Sequence, residues 1–138
     1  MHRILLAEDN PGDVLLFREA LRTSDITCEL TVAQDGERAL NLLQAESEVA
    51  DGPKPDLIVL DINLPRRSGQ DVLRWLRGNH AFANVPVIML TSSASPEDKT
   101  VALELGANLY LQKSSDLDEL FEIGRTVQGL LSAKFPDA

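Results

Sequence analysis

The stretch that most restricts this chain is Pro55-Asp56-Leu57-Ile58-Val59-Leu60-Asp61-Ile62-Asn63-Leu64-Pro65. Four apolar residues in succession, two of them β-branched, leave no polar face, as expected of a strand covered by helices on both sides of a parallel sheet. Asp61 ends the run, and Pro65 with Arg66-Arg67-Ser68-Gly69 turns the chain. Asp61 is therefore expected where a buried strand opens onto a loop at its carboxyl end, the edge at which open α/β sheets bind ligands.

The same unit recurs. Ile4-Leu5-Leu6-Ala7 ends in Glu8-Asp9-Asn10-Pro11-Gly12, and a helix face of Val14, Leu15, Leu16, Phe17, Ala20 and Leu21 follows, with Asn10 or Asp13 as its cap. Cys28 to Ala33 alternates like an outer strand, and Asp35-Gly36 opens a helix carrying Ala39, Leu40, Leu42 and Leu43. Past the organising strand, Val72, Leu73, Trp75 and Leu76 form a helical face closed by Gly78-Asn79. Trp75 reads as a core or boundary residue. Val85 to Leu90 is a second all-apolar strand running into Thr91-Ser92-Ser93. Ser95-Pro96-Glu97-Asp98 starts a helix stopped by Gly106. Asn108 to Leu111 reads as the last strand, leading to Gln112-Lys113, and Asp116 with Glu119 resembles a capping box for a final helix. Only Phe135 to Ala138 then remain, so no output domain is expected.

Five strand-then-helix units favour a parallel sheet wound by right-handed crossovers. The expected fold is a flavodoxin-like (βα)5 doubly wound sandwich, a single domain over residues 1–138 with strand order 2-1-3-4-5. No GxGxxG or GxxxxGK[ST] is present, so nucleotide binding of the usual kinds is not supported. A net charge of −9 argues against a nucleic-acid surface, which needs a basic patch. No run reaches the roughly 18 to 20 apolar residues of a membrane span. Cys28, the only cysteine, reads as a small reduced core residue, and a cytoplasmic location is expected.

On one sheet edge, Glu8, Asp9, Asp61, Thr91 and Lys113 would converge. Each alone has an ordinary explanation: a turn acid, a helix cap, a turn hydroxyl, a surface charge. Their shared place at four strand ends is what argues for a site. Carboxylates so close repel unless a cation joins them, and an all-oxygen set with no His or Cys cluster favours Mg²⁺ over zinc. A carboxylate can also attack phosphorus, and Asp61 is the best-placed nucleophile, with Lys113 and Thr91 offsetting charge on the transferring group. His2 and His80 read as solvated rather than as phosphate carriers.

These residues resemble the receiver domains of two-component response regulators, over essentially the whole chain. The likeness rests on Leu6-Ala7-Glu8-Asp9-Asn10, Leu60-Asp61-Ile62-Asn63-Leu64-Pro65 with Gly69, Thr91-Ser92, Gly106-Ala107, and Tyr110 three residues before Lys113. It implies Asp61 as phosphoacceptor, and Glu8, Asp9, Asp61 and the Asn63 backbone carbonyl as ligands of Mg²⁺, with Mn²⁺ as a substitute. It further implies Thr91 and Tyr110 as a switch pair, and Lys113 as partner of the phosphoryl group. Output would pass through a downstream protein partner and a surface of the fourth helix, last strand and last helix. Many receivers carry a cis proline after the lysine, whereas Ser114 follows Lys113 here.

Glu8 to Val14, Leu64 to Gly69 and Lys113-Ser114-Ser115-Asp116-Leu117 also resemble the stand-alone receivers that accompany phytochromes. That likeness implies a sensor histidine kinase as donor and leaves open a homodimer through the last helix and strand, with Leu130, Leu131 and Phe135 as its candidate contacts. Two other readings stand beside it. One is a phosphorylation-independent interaction module; the other is an aspartyl-phosphate phosphatase, which needs an aspartate where Asn63 stands. A receiver is a signalling protein rather than an enzyme.

Overall fold

Successive side chains of the central strands belong alternately to two separate cores. In the computed structural model, which describes residues 2–114 and 116–134, β3 (Leu57–Leu60) is buried throughout. Leu57 and Val59 belong to one core and Ile58 and Leu60 to the other. The first core packs α1 (Pro11–Thr23) and α5 (Leu117–Lys134) through Phe17, Leu21, Ile123 and Val127. The second packs α2 (Gly36–Ser47), α3 (Gly69–Arg77) and α4 (Pro96–Glu104) through Leu43, Leu73, Leu76 and Ala102. Each fully buried large side chain contributes ~2 kcal/mol relative to exposure, so a few offset the several kcal/mol needed to hold an acid out of water.

All pairings in the sheet are parallel, in the order β2-β1-β3-β4-β5. β2 (Cys28–Ala33) and β5 (Leu109–Gln112) are the edges, which is why β2 alternates. β1 (His2–Ala7) starts two residues before its apolar run, because the Asp56 carboxylate accepts from the Arg3 amide and the Arg3 carbonyl accepts from the Asp56 amide. β4 (Val87–Thr91) starts two residues later than the hydrophobic pattern and includes Thr91. Pro86 has no N–H for a ladder, and its carbonyl accepts from Ile58 instead.

The helix starts follow their caps. Asn10 rather than Asp13 caps α1, Asp35 caps α2 and Ser95 caps α4. Ser68, read from the sequence only as part of a turn, caps α3. At α5 half of the expected capping box forms: the Asp116 carboxylate accepts from the Asp118 and Glu119 amides, while the Asp116 amide turns to the Ser114 hydroxyl rather than to Glu119. The segment after Gly78 is not a plain loop but a 3₁₀ turn, His80–Phe82, with His80 exposed. Phe82 is fully buried, and Trp75 tilts against it at 5.7 Å, so Trp75 is the boundary residue expected.

One cation is spent inside the fold. The Arg77 guanidinium donates to the carbonyls of Phe82, Val85 and Gly106 and to Oδ1 of Asn108, and burial lowers its pKa. These partners lie before β4 and β5, at the edge opposite the acidic residues. Ser115 and Phe135 lie outside the described residues; of the candidate dimer contacts, Leu131 is buried and Leu130 half-buried.

Candidate functional site

Strand register brings the polar residues together. Ala7 pairs with Leu60, and Leu60 with Met89, so Glu8 and Asp61 project side by side just past that row. Thr91 pairs with Gln112, which sets Lys113 one residue beyond the last rung. Gly69 closes the loop behind Asp61: a Cβ there would lie 2.1 Å from the Asp61 carbonyl oxygen, so only glycine permits this approach.

Lys113 is the hub of the site. Its Nζ lies 2.8 Å from Oδ2 of Asp61, 2.5 Å from Oε1 of Glu8 and 2.9 Å from Oδ2 of Asp13. Burial alone would lower the ammonium pKa, but the bonds to Asp61, Glu8 and Asp13 reverse that and hold it above its ordinary value. Asp13 is the residue that sequence reasoning missed. It reads as a helix cap, yet its place in the first turn of α1, four residues after Asp9, directs it at Lys113.

Glu8 and Asp61 are buried and Asp9 is exposed. Burial pushes the Glu8 carboxyl up, only partly countered by Lys113 and the Asn10 amide. The cause is visible in a small cavity that Glu8 shares with Leu16, Phe17, Leu90 and Leu120. The Asn63 amide donates to Oδ1 of Asp61 at 3.2 Å, so a neutral residue stands where a phosphatase would need its second acid.

Carboxylate oxygens of Glu8, Asp9 and Asp61 lie within 4.8 Å of one another. Three anionic oxygen donors, one of them exposed and not engaged by Lys113, suit a hard divalent cation, and the donor set fits Mg²⁺ or Mn²⁺.

Thr91 is fully buried and its Oγ1 accepts from the Ser93 amide at 3.4 Å. The half-buried Tyr110 donates its hydroxyl to the Ser93 carbonyl at 3.0 Å. Ser93 in turn donates its own hydroxyl to Asp98 in the first turn of α4. Thr91 and Tyr110 thus meet through one loop residue. The Lys113-Ser114 peptide is trans. Cys28 is half-buried against the first core and burial raises its thiol pKa, in keeping with an inert core residue. Among the described residues, no helix is long and apolar enough to cross a membrane.

Residues 4–125 match the family model for the response regulator receiver domain. Response regulator Rcp1 of Synechocystis sp. is 41% identical over 129 residues, covering 94% of this chain and 86% of that protein. The Mn²⁺-bound form of Rcp1 superposes with a TM-score of 0.79 at 38% identity, covering 94% of this chain and 93% of that one. The phosphorylated cyanobacterial phytochrome response regulator RcpA gives a TM-score of 0.83 at 34% identity, covering 99% and 98%.

Proposed function

Because the chain belongs to the response regulator receiver domains, we propose that it accepts a phosphoryl group from a sensor histidine kinase onto the Asp61 carboxylate. The observation that carries this reading is the Lys113 ammonium bonded to Asp61 and Glu8 beside a three-carboxylate cluster. In the transfer, the P–N bond of the donor phosphohistidine breaks as an Asp61 oxygen bonds to phosphorus, and the imidazole takes up a proton as it leaves. Lys113 stays protonated at neutral pH and is placed to pair with the arriving phosphoryl oxygens. Glu8, Asp9, Asp61 and the Asn63 carbonyl would hold Mg²⁺, whose chemistry is to offset the phosphoryl charge. Mn²⁺, which Rcp1 binds, is the natural substitute.

The response follows from Thr91. Turning its hydroxyl to the phosphoryl group removes the acceptor of the Ser93 amide, and Ser93 holds both Tyr110 and Asp98. α4 is the helix with least anchorage, Ala102 being its one fully buried residue among those described. A few kcal/mol of differential contact is enough to move most of the population. The output surface is formed by α4, β5 and α5, where Leu103, Leu117 and Phe121 are exposed, and it serves a protein partner or a second copy. The likeness to RcpA supports a phytochrome as the donor kinase, and the 86% coverage of Rcp1 supports action as a single-domain regulator.

Intact mass after incubation with acetyl phosphate and Mg²⁺ tests this. The expected result is one phosphoryl increment that disappears in Asp61→Asn and in EDTA. No increment under rapid quench, or one that survives Asp61→Asn, overturns the assignment.

A further inference from the structure

Between α2 and α3, away from the acidic site and from the α4-β5-α5 face, lies a surface groove of about 400 Å³. Glu37, Leu40, Asn41 and Gln44 line it from α2, Arg67 from the loop after β3, and Trp75 from α3. Leu40 and Trp75 are half-buried against the core, and Trp75 is braced by Phe82, so the floor is apolar and fixed.

The loop and α3 wall carries charge opposite to that of the protein, while the α2 wall brings Glu37. Residues 62–78 carry four arginines against one aspartate, a local net of +3 in a chain of net −9. Three of those arginines are committed. Arg77 is turned inward, Arg74 lies 3.0 Å from Asp71, and Arg66 lies 3.4 Å from Glu37 and 3.8 Å from Asp35. Arg67 is exposed, and among the described residues its guanidinium makes no hydrogen bond or ion pair. Its backbone is held all the same: the Arg67 and Gly36 amides both donate to the Pro65 carbonyl, at 2.8 and 3.2 Å. A fixed backbone therefore presents one uncommitted planar cation at the mouth of an aromatic-floored groove.

We propose that this groove docks an acidic segment of a partner protein, with a carboxylate on the Arg67 fork and an apolar side chain against Trp75 and Leu40. A guanidinium binds a carboxylate through two parallel hydrogen bonds, which gives direction as well as attraction. Asn41 and Gln44 supply donors and acceptors for the backbone of the segment. One free cation is too few for a nucleic acid to be held against a net charge of −9. Docking here needs neither metal nor phosphoryl group, so it stands or falls separately from the chemistry of Asp61.

The single tryptophan of the chain sits in the groove and reports on it. Twelve-residue peptides selected from a random display library on the metal-free protein are titrated against Trp75 fluorescence. The expected peptides pair Asp or Glu with Leu or an aromatic residue and change the emission saturably. Binding is expected to weaken at least tenfold in Arg67→Glu and less in Arg67→Lys, with both variants melting at the wild-type temperature. The proposal is overturned if no peptide is enriched, if the enriched peptides lack acids, or if Arg67→Glu binds them equally. Emission that shifts with protein concentration alone also overturns it, by assigning the groove to a second copy of the chain.

Discussion

Asp9→Asn removes one charge from a group of four carboxylates, Glu8, Asp9, Asp13 and Asp61, of which all but Asp9 bond to the single ammonium of Lys113. Asp9 is exposed, so a water-like dielectric is the right limit for its interactions. At 4.8 Å each unit-charge pair then repels by about 0.9 kcal/mol. Glu8 and Asp61 together contribute about 1.7 kcal/mol of repulsion, and attraction to Lys113 cancels roughly half of it. Neutralising Asp9 is thus expected to stabilise the metal-free protein by ~1 kcal/mol, a rise in Tm of about 4 °C for a chain of this size. Mg²⁺ reverses the order: at ten times its Kd it stabilises the wild type by ~1.4 kcal/mol, and the variant, lacking an exposed anionic ligand, loses most of that gain. Thermal unfolding followed by circular dichroism, in EDTA and in Mg²⁺, reads both effects. A variant that melts below the wild type in EDTA refutes the repulsion argument, and one that keeps the full Mg²⁺ shift refutes Asp9 as a ligand.

Asp13→Ala leaves Lys113 no carboxylate to rest on other than Glu8 and Asp61, so Mg²⁺ affinity is expected to fall ~3-fold by calorimetry. Unchanged or tighter binding would show that Asp13 is a bystander. Gly124→Ala is expected to cost ~2 kcal/mol in a urea titration although helix propensity alone gains ~1 kcal/mol, because its Cβ would lie 2.4 Å from the Ala20 carbonyl and 2.2 Å from Oγ of Ser24. A midpoint at or above wild type would mean that α1 and α5 separate freely. Cys28, its thiol pKa raised by burial, carries less thiolate at neutral pH than an exposed thiol, so it is expected to react with Ellman's reagent more slowly than glutathione at pH 7.5. Equal rates would place it in the open.

What the sequence disclosed and what it hid follow from the range of the interactions involved. β3 and α2 are local matters, set by apolar pattern and caps, and they stand where the residues alone put them. The meeting of Glu8, Asp61 and Lys113 followed from parallel topology alone, since strands in one direction put their ends on one edge. Asp13 could not be read that way: its contact with Lys113 spans 100 residues, and only the orientation of α1 on the sheet shows which group it faces. The same is true of Arg77, which reads as a basic residue near a helix end and turns out to bind three carbonyls beyond it. Ser93 is a third case. A serine in a loop carries no signal, yet it touches Thr91, Tyr110 and Asp98 together.

The position of Arg77 gives the sheet a fulcrum. Its hydrogen bonds clamp the entries to β4 and β5, while Thr91 and Lys113 stand at the exits of the same two strands. With their entries tied through the half-buried Arg77 and their exits carrying a hydroxyl and an ammonium, β4 and β5 are expected to be stiffer at the first end than at the second. A change beside Asp61 is therefore expected to move the exits of the two strands, at Thr91 and Lys113, more than their entries at Val87 and Asn108.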